Sequence, residues 1–131
     1  MVSKQELLQF WKSKGVEDTL LTAFTKIPRE QFIPPQLKIH AYDDHPLPTV
    51  RNQSISQPST VMIMLSALDL QAGEKVLEVG AGSGYQAALM AQLVGKKGKV
   101  VTIDVIPELV HFARCNTADL DLQQVLVLEG D

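Results

Sequence analysis

The chain has 131 residues, 45% hydrophobic and 21% charged, with a formal net charge of −3 and a pI near 5.6. This suits one soluble domain with its own core, and the acidic balance leaves no basic footprint for a nucleic-acid partner. The N-terminal Met1 to Glu6 is too polar for a signal peptide and no apolar run approaches the roughly 18 residues that span a bilayer, so a cytoplasmic protein without a membrane partner is expected.

Ser3-x-x-Glu6 reads as a capping box that opens a helix ending at Gly15, with Leu7, Leu8, Phe10 and Trp11 available for packing. A second helix is predicted from about Asp18 to Ile27, where Val16, Leu20, Phe24 and Ile27 make one apolar stripe. Pro28 stops it, and residues 28–32 suit a short helical turn. Residues 33–58 carry Pro34, Pro35, Pro46, Pro48 and Pro58 and read as a loop. Its length, and apolar members such as Tyr42, Leu47, Val50 and Ile55, favour a functional loop over a disordered one.

Pro58 then starts a helix expected to bury Val61, Met62, Met64, Leu65 and Leu68. The run Val76, Leu77, Val79 suits a parallel strand over 75–79 that is covered on both faces. It breaks into Gly80-Ala81-Gly82-Ser83-Gly84, followed by a helix from about Gly84 to Leu93. A second strand is predicted over 99–103, a helix from Pro107 to about Ala118, and a third strand over 124–128. Alternation of strand and helix implies a parallel sheet with right-handed crossovers. Cys115 stands alone inside a predicted helix and is expected to be buried packing.

Glycines at every second position let the backbone turn sharply and approach a ligand, and the next helix points its N-terminal amides at it. Spacing narrows that ligand. A dinucleotide fingerprint needs glycine at position 85, which is Tyr85. No Gly-Lys-Ser/Thr closes a phosphate loop, and a nucleophile elbow on Ser83 would need glycines where Ala81 and Tyr85 stand. A nucleoside without a pyrophosphate remains, and S-adenosyl-L-methionine fits. Asp104 closes the apolar run Val100-Val101-Thr102-Ile103, where a carboxylate can accept ribose hydroxyls. The plainer alternative is any nucleotide-binding or ligand-free α/β unit.

Three segments together resemble the protein-L-isoaspartate O-methyltransferase family. The first is Tyr42-x-Asp44-x-Pro46-Leu47-Pro48 leading into Gln53-Ser54-Ile55-Ser56-Gln57-Pro58. The second is Val76 to Gln86, whose Gly84-Tyr85-Gln86 ending is more family-specific than the glycines. The third is Gly98 to Asp104 with Pro107-Glu108-Leu109 and, later, Gly130-Asp131. The resemblance covers roughly residues 20–131, matching the front of the family's fold. It departs at Thr49-Val50-Arg51-Asn52, where the family usually carries glycine.

The resemblance implies a Rossmann-like class I methyltransferase fold of the α/β class, a three-layer αβα arrangement truncated at its C-terminus. Residues 1–58 would supply N-terminal helices and the active-site loop, and 59–131 the first half of the S-adenosylmethionine-binding domain, together one structural unit. It also implies methyl transfer to the free carboxylate of isoaspartyl residues in damaged proteins. Ser56 would be the active-site residue that orients that carboxylate; a helix-capping role ahead of Pro58 is the alternative. Ser54, Ile55, Glu78, Gly80, Ala81, Gly82 and Ser83 would line the cofactor pocket, Asp104 would take the ribose, and Val105, Gly130 and Asp131 would flank the base. No metal site is expected, and His40, His45 and His111 receive no role. Two other readings stand beside this one: a methyltransferase with another acceptor, and a non-catalytic cofactor-binding module that lends an uncovered strand edge to self-association.

Overall fold

The computed structural model describes all 131 residues. Helix α1 (Lys4–Ser13) opens on the expected capping box, with Glu6 N donating to Ser3 Oγ at 3.2 Å and Ser3 N to Glu6 Oε2 at 2.7 Å. Helix α2 (Asp18–Lys26) packs its stripe inward: Leu20, Phe24 and the following Ile27 are buried. Trp11 meets Phe24 edge-to-face with ring centroids 4.7 Å apart, which locks α1 onto α2.

The short helical turn expected over 28–32 is present, and the segment 33–58, expected to be a loop, is more ordered than that. A 3₁₀ turn over Arg29–Phe32 is followed by another over Pro35–His40, and then by a hairpin of β1 (Leu47–Pro48) and β2 (Ser54–Ile55). Leu47 lies opposite Ile55 and both are buried, so the hairpin is pinned by one apolar pair. Its tip holds Arg51 and Asn52 at φ 56° and 55°, and Gln53 N donates to Val50 O at 3.1 Å. Two consecutive positive φ angles define the turn whose twist matches a hairpin.

Helix α3 (Pro58–Leu68) buries Val61, Met62 and Leu65, whereas Met64 and Leu68, expected inside, are 43% and 49% exposed. Strand β3 (Lys75–Val79), helix α4 (Tyr85–Val94), strand β4 (Lys99–Asp104), helix α5 (Pro107–Asp119) and strand β5 (Val125–Glu129) complete the chain. The strands are parallel in the order β3-β4-β5. A sheet that grows in one direction through right-handed crossovers places both helices on the same face. Val76, Val100 and Val125 form one row against those helices, with Glu78, Thr102 and Val127 in the next.

The expectation that β3 is covered on both faces fails for this reason. Leu77 and Val79 are 63% and 78% exposed on the opposite face. Register continues them across the sheet as Leu77–Val101–Leu126 and Val79–Ile103–Leu128. Two of the three layers of a Rossmann-like αβα arrangement are therefore present. The core runs through both segments of the chain: Leu7, Trp11, Phe24 and Ile55 share a cluster with Leu65, Leu89 and Val100. Helix α4 is clasped between α2 and the sheet, with Ala87, Ala88, Leu89 and Ala91 fully buried. Cys115, expected in the packing, is exposed because α5 buries the face carrying Leu109, Val110, Ala113, Asn116 and Thr117.

Candidate active site

The glycine turn connects β3 to α4. Gly80, Gly82 and Gly84 have φ values of 95°, 54° and 86°, a region that side chains disfavour. A Cβ on Gly80 or Gly82 would meet nothing within 4 Å, so both present bare backbone to open space. Gly84 answers to packing as well: a Cβ there would lie 3.1 Å from the Ala113 Cβ of α5.

Strand β4 holds the turn from below. Gly80 N and Ala81 N both donate to Ile103 O at 2.8 Å. The Asp104 carboxylate accepts from Gly82 N at 3.0 Å and from Ile106 N at 3.1 Å, tying the turn to the start of α5. Each of its oxygens retains acceptor capacity beyond these bonds. Ser83 is buried; its Oγ accepts from Tyr85 N at 3.3 Å and its carbonyl from Asn116 Nδ2 at 2.9 Å.

Above the turn lies a cleft of about 240 Å³. Ser54, Ile55 and Ser56 of the hairpin form one wall, and Glu78, Gly80, Ala81, Gly82 and Ser83 the other, with Met64, Tyr85 and Gln86 completing it. Residues far apart in sequence but singled out together are thus brought into one site. Asp104, Val105, Gly130 and Asp131 lie outside that lining; Val105 is 59% exposed beyond the end of β4, and Gly130 N donates to Asp104 O at 3.0 Å.

Ser56 does not cap α3. The N-cap is Gln57, which makes no side-chain capping bond. Asp44 serves the helix from a distance, accepting from Ser59 N at 2.8 Å and Ser59 Oγ at 2.6 Å, and Trp11 Nε1 adds a bond to the same hydroxyl at 2.8 Å. Glu78 accepts from Thr102 Oγ1 at 2.7 Å. Burial drives its pKa up to about 7, the Asp104 charge adds to the rise, and bonds from Thr102 and Gln86 oppose it. A partly buried carboxylate of this kind favours a cationic neighbour.

Several supporting residues escape a reading of the sequence. Thr102 counts as one more member of an apolar strand until register sets it beside Glu78. Asn116 and Arg29 act across 33 and 27 positions of chain, respectively, and no local pattern announces them. Arg51 Nη1 of the hairpin tip lies 3.2 Å from Glu108 Oε1 in the first turn of α5.

The family model for protein-L-isoaspartate(D-aspartate) O-methyltransferase matches residues 2–131. A protein-L-isoaspartate O-methyltransferase of Ignicoccus hospitalis is 46% identical over 130 residues, which are 98% of this chain and 62% of that relative. One of Methanopyrus kandleri is 46% identical over 132 residues, 98% of this chain and 58% of the relative. Among solved structures, a protein-L-isoaspartate O-methyltransferase superposes with a TM-score of 0.88 at 32% identity, over 98% of this chain and 42% of the other. A Plasmodium falciparum structure described as a complex with S-adenosyl-L-homocysteine gives 0.81 at 23% identity, covering 98% and 63%, and speaks to the fold. The chain therefore spans about six-tenths of the length of these curated relatives. With the family model matched almost end to end, the chain belongs to the protein-L-isoaspartate(D-aspartate) O-methyltransferase family.

Proposed function

We propose that the chain binds S-adenosyl-L-methionine on the Gly80–Ser83 turn and presents its methyl group to the free carboxylate of an isoaspartyl residue in a damaged protein. The observation that carries this reading is the shared cleft, where the Ser54–Ser56 hairpin faces that turn. The fit to the cofactor rests on two features of the site. Bare backbone at Gly80 and Gly82 leaves room for a nucleoside, and the partly buried Glu78 carboxyl matches an ammonium such as that of the methionine moiety.

S-adenosylmethionine, when bound, supplies an electrophilic methyl carbon on a sulfonium. The remaining work belongs to the chain and is positional. A free α-carboxyl ionises near about pH 3.5, so the acceptor needs no general base at neutral pH. Ser56 would donate a hydrogen bond that aims the carboxylate, while the hairpin wall displaces its water. Asp104 would turn its remaining lone pairs to the ribose, with Val105, Gly130 and Asp131 near the base. One exposed, unpaired cysteine suits a reducing compartment such as the cytoplasm.

Calorimetry with S-adenosylhomocysteine and a radiolabelled methyl-transfer assay on an isoaspartyl peptide test the reading. We expect saturable nucleoside binding and label on the isoaspartyl peptide but not on its aspartyl isomer. Equal labelling of both isomers would replace isoaspartate with another acceptor, and no nucleoside binding would reject the cofactor site.

A further inference from the structure

Arg29 is fully buried, and no carboxylate lies within ion-pairing distance of it. An unpaired buried cation is costly, and an apolar residue would fill the same space without that cost. What the guanidinium does instead is reach in three directions. Nε donates to Ala41 O at 2.7 Å and Nη1 to Ser56 O at 2.9 Å. Its Cζ stands 5.3 Å from the centroid of the Tyr85 ring, the first residue of α4 after the glycine turn. Arg29 Nη2 and Tyr85 Oη are both buried without a hydrogen-bond partner of normal geometry, while Arg29 N donates to Tyr42 Oη at 3.3 Å and the Tyr85 ring meets Phe32 edge-on at 5.2 Å.

We propose that Arg29 is a positioning residue for Ser56: its rigid fork fixes the exit of the β2 strand against the start of α4, and so sets where the Ser56 hydroxyl stands relative to the glycine turn. This rests on the role given to Ser56 above. Lysine cannot replace it, because a single ammonium on a flexible stem cannot span two carbonyls while stacking on a ring. The sequence places Arg29 just after a helix-stopping proline in a short helical turn; only the fold shows that it points inward.

The 131-residue chain is compared with Arg29→Met and Arg29→Lys by amide hydrogen exchange, by calorimetry with S-adenosylhomocysteine, and by binding of an isoaspartyl peptide in its presence. For Arg29→Met, exchange at residues 54–57 should accelerate at least about tenfold while β4 and β5 keep their protection. Peptide affinity should fall about tenfold or more with nucleoside affinity held within about threefold. Arg29→Lys should lie between, and it carries the test if the methionine variant does not fold. Uniform acceleration across the chain, unchanged exchange at 54–57, or parallel loss of both affinities overturns the proposal and leaves Arg29 as packing. A wild-type chain that binds neither ligand sinks the functional reading alone, and exchange at 54–57 then decides the positioning by itself.

Discussion

Glu78 shows how one partly buried group couples the site to stability. Its pKa is raised from the ordinary 4.5 to about 7, with burial as the main cause. Between those values the folded chain holds a proton that the unfolded chain has released, so stability falls as pH rises through that window. The full contribution is present below about pH 4.5 and lost above about pH 7. Glu78→Gln keeps an acceptor for Thr102 and removes the titration. Urea unfolding at pH 4.5 and 8 should find the variant nearly equal to wild type at the lower pH and more stable at the higher, by up to about 3 kcal/mol. An unchanged pH slope in the variant would show that Glu78 is not the group responsible. Charge at Asp104 is different in kind: its backbone amide partners give it a structural duty that any ribose contact would share.

Among the elements, α3 depends on a cap lent by another part of the chain. Asp44 satisfies Ser59 N and Ser59 Oγ, and it sits in the loop that leads to the hairpin. Asp44→Ala should cost about 1–2 kcal/mol in thermal or urea unfolding, the usual worth of an N-cap. A loss below a few tenths would mean that water replaces it without penalty. The elements differ in how far the sequence announces them. Leu20, Phe24 and Ile27 repeat at helical spacing, and Ser3 with Glu6 writes its capping box in four residues, so α1 and α2 are legible. The hairpin is not. Its strands have two residues each, one of them proline, and its tip puts Arg51 and Asn52 where glycine usually signals such a turn. Ser54, Ile55 and Ser56 read as site residues only through the family resemblance; without it, a helix cap ahead of Pro58 is the favoured account of Ser56.

At the scale of the molecule, the sheet carries helices on one side only. Leu77, Val79, Leu126 and Leu128 leave a continuous apolar surface, and β3 forms an unpaired edge beside it. Surfaces of this kind drive association. Leu77→Lys with Val79→Lys should raise solubility and shift sedimentation of the isolated chain toward monomer, with little loss of stability because both side chains already face solvent. Persistent association in that double variant would locate the sticky surface elsewhere. The strand pattern foretold parallel strands and crossovers correctly. It misjudged burial because an apolar run looks the same whether one face or two are covered, and only strand order reveals which.

That strand order has a kinetic side. Because β4 pairs with β3 and β5 with β4, each strand after β3 finds its template already made when it leaves the ribosome, and the sheet can grow by accretion. Helix α2 departs from this order, since its seat on α4 is synthesised some sixty residues later, and so does the Arg29–Phe32 turn, which meets α5. The front of the polypeptide must therefore wait, loosely formed, until the glycine turn and the helix behind it arrive to receive it.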